Sequence, residues 1–426
     1  MRNGLKRYWL IVIGFMVFFL TSQVQAQMRV VSGSYEGNGT DNRSITGVGF
    51  QPDVVIIKGN INRVAVCRTS TMIGDQTKPL VGSNALADNR IQSLDTDGFT
   101  IGTHGSVNSN NKDYYWVAFK AAAGEMVVST YTGNSTGGNN NDNRSITGLG
   151  FSPDYVIIMS AGSNKAVHRS SAIPEISEDS SHAFDNTSGV QNRIQKILSD
   201  GFEVGTHNSV NNNGTTYHFI AWNEVAGKID VGKYEGDNSD DRNITGIGFQ
   251  PEYVIIKNHT GGKAVHHPES LGAETDSTLY FSGDENFDDG IQALISDGFQ
   301  VGEDNTVNNN NKDYFWVAFK ESFPTAVTLA FFTAETEEEG AVVLNWETAT
   351  EINNAGFNIY RARLKDGNYK KINAELIDPK GSEVSGSSYT YTDTPPASGT
   401  YYYKLEDVEY GGATAMHGPV KVRVKK

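Results

Sequence analysis

The chain has 426 residues, 50 Asp and Glu against 35 Lys and Arg, a formal charge of −15 and 38% hydrophobic residues. That acidic balance argues against nucleic acid or anionic lipid as a partner, because like charges repel. Forty-five glycines beside a charged fraction of only 20% suit a turn-rich β protein better than a helical one.

Residues 1–26 open with Arg2, Lys6 and Arg7, run through the apolar WLIVIGFMVFFL from Trp9 to Leu20, and end in Val24-Gln25-Ala26. This is the pattern of a secretory signal peptide. The apolar run falls short of the ~20 residues of a membrane-spanning helix; an uncleaved anchor is the alternative. No cysteine stands directly after the run, at the cleavage site, which argues against a lipid-anchored form. The expected location is secreted or cell-surface/periplasmic, with no membrane span after signal cleavage. Export usually favours disulfides, yet Cys67 is the single cysteine and no intramolecular bridge forms.

Three landmarks then recur in one order. DNRSITGVGFQP at Asp41 returns as DNRSITGLGFSP at Asp142 and DDRNITGIGFQP at Asp240, which spaces Pro52, Pro153 and Pro251 by 101 and 98 residues. DTDGFTIGT, LSDGFEVGT and ISDGFQVGE form the second set, and VNSNNKDYYWVAFK, VNNNGTTYHFIAWN and VNNNNKDYFWVAFK the third. A period of this length is too long for solenoid or propeller-blade units. The expected organisation is three tandem homologous β-sandwich or jelly-roll-like domains at 28–123, 124–226 and 227–322. Connectors of a few residues, such as KAAAGEM, predict a semi-rigid row.

Within each unit the signals are strand and turn. Pro52, Pro153 and Pro251 push the chain into extended segments at Val54, Tyr155 and Tyr253. The asparagine cluster before each closing strand reads as a hairpin turn. RIQSL, RIQKI and GIQAL read equally as a helical turn or a strand. From about residue 326 to 426 the composition changes, with strands at AVVLNWETA, AGFNIYRA and GTYYYKLEDVEY.

That last segment, through LNWETATEINNAGFNIYR, SYTYTDT and GTYYYKLEDVE, resembles a fibronectin type III-like domain of secreted bacterial proteins. The resemblance implies a seven-stranded sandwich with Trp346 in the core and tyrosines near a corner, acting as a spacer or binding module with no catalytic residue. The three repeats, through ITGxGFxPDxVIIK, DGFxVG and WVAFK, more loosely resemble an uncharacterised β-rich repeat of bacterial secreted and phage virion proteins. That resemblance brings no chemistry with it.

Candidate sites follow from the repeated columns. Asp41 with Arg43, Asp142 with Arg144, and Asp240 with Arg242 are pairs that either lock a turn or present an acceptor and a forked donor to a sugar; the turn-locking reading is the stronger. Tyr114 and Tyr314, like Tyr217, are either core residues or sugar-stacking platforms, and core packing is the stronger reading. Cys67, His168 and His266 form one column, and His104, His207 and Asp304 a second; facing columns would seed a Zn²⁺ or Cu²⁺ site, against the plainer reading of ordinary polar positions. Asn- and Asp-rich loops offer oxygens to Ca²⁺, though none has EF-hand spacing and solvated turns are the stronger reading. No other cofactor is implied. No GxSxG, HExxH or phosphate-cradling loop occurs.

The expected function is therefore non-catalytic, multivalent binding or adhesion, with an extracellular glycan or surface protein as partner and no nucleic acid. The alternatives are a structural spacer or subunit of an extracellular fibre or matrix and, last, a polysaccharide-acting hydrolase.

Overall fold

The computed structural model describes residues 27–135, 143–173, 179–272, 276–320, 327–337, 340–351, 354–365, 367–382, 385–409 and 414–425. The expected signal peptide lies outside them. The fold is all-β, built from antiparallel sheets.

In the first repeat, β1 (Arg29–Glu36), β3 (Val54–Gly59), β4 (Val66–Thr69), β5 (Lys78–Pro79) and β8 (Asp113–Lys120) form a five-stranded sheet in the order β1-β8-β3-β4-β5. A second sheet, in the order β2-β7-β6, joins β2 (Arg43–Thr46), β7 (Gly98–Ile101) and β6 (Ile91–Asp95). RIQSL is thus a strand. The asparagine cluster is not a hairpin: β7 and β8 lie in different sheets, and the chain crosses between them through a single helical turn, α1 (Gly105–Asn108). The second and third repeats reproduce both sheets and the helical turn, the third with one extra short strand.

The large sheet is covered on both faces, which is why VVIIKG reads as an unbroken apolar run rather than an alternation. Successive side chains point to opposite faces. Val55, Ile57, Trp116 and Ala118 face the small sheet and build the repeat's own core with Ile45, Phe50 and Phe99. Val54, Ile56, Val117 and Phe119 face the other way, into a core shared with Tyr155, Ile157 and Trp222 of the second repeat and Tyr253, Ile255 and Phe319 of the third. Phe119, Trp222 and Phe319 occupy one position of the repeat. Their rings meet pairwise, with centroids 5.5 Å (Phe119–Trp222), 5.1 Å (Phe119–Phe319) and 5.4 Å (Trp222–Phe319) apart. The repeats therefore close on one another instead of standing in a row.

Polar groups seal each junction. Lys58 is fully buried, and its ammonium donates to Gly59 O (2.6 Å) and Ile61 O (2.9 Å) of its own loop and to Asp284 O (2.9 Å) of the third repeat. Lys257, its counterpart in the third repeat, donates to its own Gly262 O and to Asp185 O (2.8 Å) and Thr187 O (3.1 Å) of the second. The second repeat has Met159 at this position. There the cation comes from the opposite side: Lys78 of β5 donates to its own Asn84 O (2.5 Å) and to Ser160 O (2.7 Å) and Gly162 O (3.1 Å) of the second repeat. Three donors meet three acceptors in every case, which is the full capacity of an ammonium. Burial pushes all three lysines down to about 8.

The connectors are clamps. Glu125, in the first of them, accepts from Met28 N (2.8 Å) and pairs with Lys228 (2.7 Å), so its carboxylate ties together the opening segments of all three repeats.

The C-terminal segment is a seven-stranded fibronectin type III-like sandwich. Strands Thr328–Thr336, Val342–Thr350 and Ser388–Asp393 face a sheet of Lys370–Lys371, Asn354–Ala362, Gly399–Glu409 and Thr414–Val424. Trp346 is fully buried and stacks on Tyr389 at 5.1 Å. Tyr401 donates to Ala397 O (2.8 Å), the bond of a tyrosine corner.

The lysine exchange yields a prediction. Lys58→Met strands three buried carbonyls and lowers stability by about 2–3 kcal/mol. Leu279 stands where Lys78 stands in the first repeat, each opposite the matching residue of the preceding strand. Adding Leu279→Lys to Lys58→Met refills the cage from the other side, and urea denaturation should recover at least half the loss.

Candidate functional site

The opening motif is bound by the second landmark. Gly47 and Gly49 have φ of 85° and 80°, a region that disfavours side chains, and their amides donate to Asp97 of the DGF segment at 3.1 and 2.6 Å. Gly148 and Gly150 on Asp200, and Gly246 and Gly248 on Asp297, repeat the arrangement. The two motifs recur together because one carboxylate cradles the other's turn.

Asp41 and Arg43 do not pair with each other. Asp41 accepts from Gln92 (3.0 Å), as Asp240 does from Gln292 (2.9 Å). Arg43 donates to Glu36 O (2.6 Å) and lies over Tyr35, 5.1 Å from its centroid. Arg242 repeats this with Glu235 O (2.6 Å) and Tyr234, and Arg144 with Thr132 O and Tyr131. Asp142 lies outside the described residues. Each arginine thus caps a two-tyrosine stack: Tyr35 on Tyr114 at 5.4 Å, Tyr131 on Tyr217 at 5.1 Å, and Tyr234 on Tyr314 at 5.2 Å.

Tyr114 and Tyr314 are therefore not sugar platforms. Both are fully buried. Tyr114 donates to Gly105 O (2.7 Å) and accepts from Ser109 N (2.8 Å), bracketing the helical turn. Tyr314 does the same with Asn305 O and Asn309 N, both at 2.7 Å.

The two metal-candidate columns stay apart. His104, His207 and Asp304 cap the helical turns, accepting from Ser106 N, Ser209 N and Thr306 N. Cys67, His168 and His266 lie buried on the shared-core side. His168 Nδ1 is 2.9 Å from the Tyr155 hydroxyl, and His266 Nδ1 is 3.0 Å from that of Tyr253. Where the column holds Cys67, the tyrosine position holds Val54, so the polar pair and the apolar pair change together. Burial pushes the Cys67 thiol up, away from the thiolate a metal would need. Among the described residues no group of three or more His, Cys, Asp or Glu is placed to hold a metal ion.

Sequence reasoning did not single out the cleft that the structure shows in the second repeat. It has a volume of about 480 Å³ and lies between the opening motif, the strand Ile194–Leu198 and the strand Val167–Ser170 with Ser171 and Ile173 beyond it. Arg169 and Gln195, 4% and 9% exposed, form its inner wall. Gln195 Oε1 has no hydrogen-bond partner, and the same holds for Gln92 Oε1 and Gln292 Oε1 at the equivalent positions of the other repeats. Ile173 and Ile197 supply an apolar side, and Ser152, Ser171 and Asn143 supply polar groups nearer the rim. Its carboxylates are occupied: Asp179 accepts from Asn192 N (2.7 Å) and Glu203 from Asn143 (2.9 Å).

The first repeat matches a family model described as a domain of unknown function (DUF7483) over residues 29–136. No curated protein matches the chain. Among solved structures, a fibronectin type III-like protein from Clostridium thermocellum is similar at 22% identity, over 24% of this chain and 97% of its own, with a TM-score of 0.18. The fibronectin domains FN1–FN3 of chicken CNTN1 align at 10% identity over 68% of this chain and 100% of their own, with a TM-score of 0.19. A β-1,2-glucanase from Parabacteroides distasonis aligns at 12% identity over 43% of this chain and 30% of its own, with a TM-score of 0.16. Likenesses at this level assign no function.

The buried imidazoles set an acid limit. Burial holds His168 down to about 3 and His267 to about 4, and His182 and His266 well below the ordinary value. Between those values and about 6.5 the unfolded chain binds protons that the folded chain does not, so stability is complete above that window and falls as pH drops through it. Each such histidine adds to the fall, because the unfolded chain gains a proton that the buried ring refuses. The urea midpoint should fall steeply from pH 7 to pH 5, before carboxylates titrate.

Proposed function

We propose that the protein is an exported, non-catalytic binding or accessory protein, in which a closed three-repeat head is joined to a fibronectin type III-like domain. The observation that carries this reading is the shared core. Triplication has been used to make one rigid body, whose single buried aromatic cluster needs all three repeats. A rigid body with preformed concavities binds without an ordering cost. The partner class is an extracellular glycan or surface protein; nucleic acid is disfavoured by the charge of −15. Among the described residues no helix is long and apolar enough to cross a membrane.

A spacer or matrix-subunit role is the second reading. It is favoured by the internal use of Arg43 and Arg242, which removes three identical motif sites as the source of multivalency. A polysaccharide-acting hydrolase is the least supported.

A glycan array probed with the full chain lacking residues 1–26, with and without Ca²⁺, tests the choice. The binding reading expects retention on at least one glycan class and no reducing ends released from it. Retention nowhere, in either condition, favours the spacer; released reducing ends favour the hydrolase.

A further inference from the structure

The two sheets of the C-terminal sandwich carry opposite charge on their outer faces. Leu344 and Trp346 of one sheet, and Ile359, Tyr403 and Leu405 of the other, point into the core, so their chain neighbours point out. On the three-stranded sheet the outward residues include Glu335 and Glu347, both exposed, and its strands contain no lysine or arginine. On the four-stranded sheet they include Lys371, Tyr360, Tyr402, Lys404, Lys421 and Arg423. Lys371 and Lys404 flank Tyr360 from its two neighbouring strands, Lys421 stands opposite Tyr402, and Arg423 follows opposite Thr400. The Lys404 ammonium lies over the Tyr369 ring, 4.5 Å from its centroid.

Among the described side chains of these four strands, the one carboxylate on this face is Glu406, and it accepts from Asn358 (2.8 Å) and the Tyr360 hydroxyl (2.9 Å). The ion pairs of the sandwich among the described residues, Arg361–Asp393 and His417–Asp407, use none of the four cations. Lysine on an edge strand commonly guards against sheet-to-sheet pairing, and that accounts for Lys421. It does not account for Lys404, which sits on an inner strand. In a chain with 50 acidic against 35 basic residues, four cations around one engaged carboxylate run against the composition. At physiological salt a charge is felt over ~8 Å, so this face presents its own field and not the average of the chain. The cations are spread over three strands at ~4.8 Å per strand, which suits an extended polyanion lying across them. Tyr360 and Tyr402 are half-buried between them and leave ring surface for a sugar. Met416 is the one large apolar side chain exposed on this face among the described residues, which gives a bilayer little to hold.

We propose that the outer face of the four-stranded sheet docks an acidic polysaccharide, with its carboxylates or sulfates on Lys371, Lys404, Lys421 and Arg423 and its sugar rings against Tyr360 and Tyr402. This rests on the reading of the chain as a binding protein and adds to it the domain, the face and the charge of the ligand.

The test immobilises polygalacturonate and dextran sulfate, with unmodified dextran as the neutral control, and measures binding of the full chain lacking residues 1–26 by biolayer interferometry. The chain should bind at least one acidic polymer at low salt, at least tenfold more weakly at high salt, and should not bind dextran. Lys404→Gln combined with Lys421→Gln should weaken binding at least tenfold, and Tyr402→Ser at least threefold, each with an unchanged urea midpoint. Lys112→Gln combined with Lys233→Gln, at exposed lysines of the repeats, should leave it unchanged. Binding to neither acidic polymer overturns the proposal. So does an equal loss in the Lys112 and Lys233 variant, or tighter binding to duplex DNA or phosphatidylserine vesicles than to either polymer. A glycan-array signal confined to neutral glycans overturns this face while the binding reading stands; silence on the array and on both acidic polymers overturns both. Should the Lys404 and Lys421 variant unfold, shift mapping on the native chain with oligogalacturonate decides: shifts at Tyr360, Tyr402 and Lys421 support the face, and shifts confined elsewhere refute it.

Discussion

The head depends on burying a positive charge at each of its three junctions. A lysine ammonium in a dry interface is tolerable only when its three protons find acceptors. Here those acceptors are backbone carbonyls drawn from two repeats at once. The cage cannot form inside one repeat, so closure of the ring and satisfaction of the charge are one event. Around these cages the inner faces of three large sheets meet in a common core, and Phe119, Trp222 and Phe319 fill its centre. A repeat taken alone would expose that face, and its cage would lack the donor or the acceptors that a neighbour supplies.

The three repeats also act as natural variants of one another. Lysine moves from one side of the cage to the other where Met159 replaces it. Tyrosine and histidine give way together to Val54 and Cys67. Gly33 and Gly232 stand opposite Trp116 and Trp316, where a Cβ would come within 2.3 Å of the indole; Ser129 stands opposite the smaller Phe219. Such paired changes mark contacts that carry packing.

Much of this was legible in the residues and some was not. The proline-led strands begin at Val54, Tyr155 and Tyr253 as the pattern predicts, and Trp346 and Tyr401 take the core and corner places implied by the fibronectin type III resemblance. The arginine of the motif was read as a partner for its neighbouring aspartate, but it stacks on a tyrosine that precedes it in the chain. Tyr114 and Tyr314 take the core places that were the stronger reading, because a closing strand buried on both faces hides even its turn-proximal ring. The cleft escaped notice because its lining comes from three segments that lie far apart in the chain.

The sequence by itself determined that the protein is all-β, triplicated and followed by a different sandwich, because period, turn residues and β-branched runs are local properties written along the chain. Only the tertiary structure decided that the repeats close on a shared core and that one of them opens a cleft. Both depend on which face of a doubly buried strand meets which neighbour. An unbroken apolar run looks the same whether its second face meets its own domain or two others, so alternation, the one signal that separates inside from outside in a strand, was absent where it was needed.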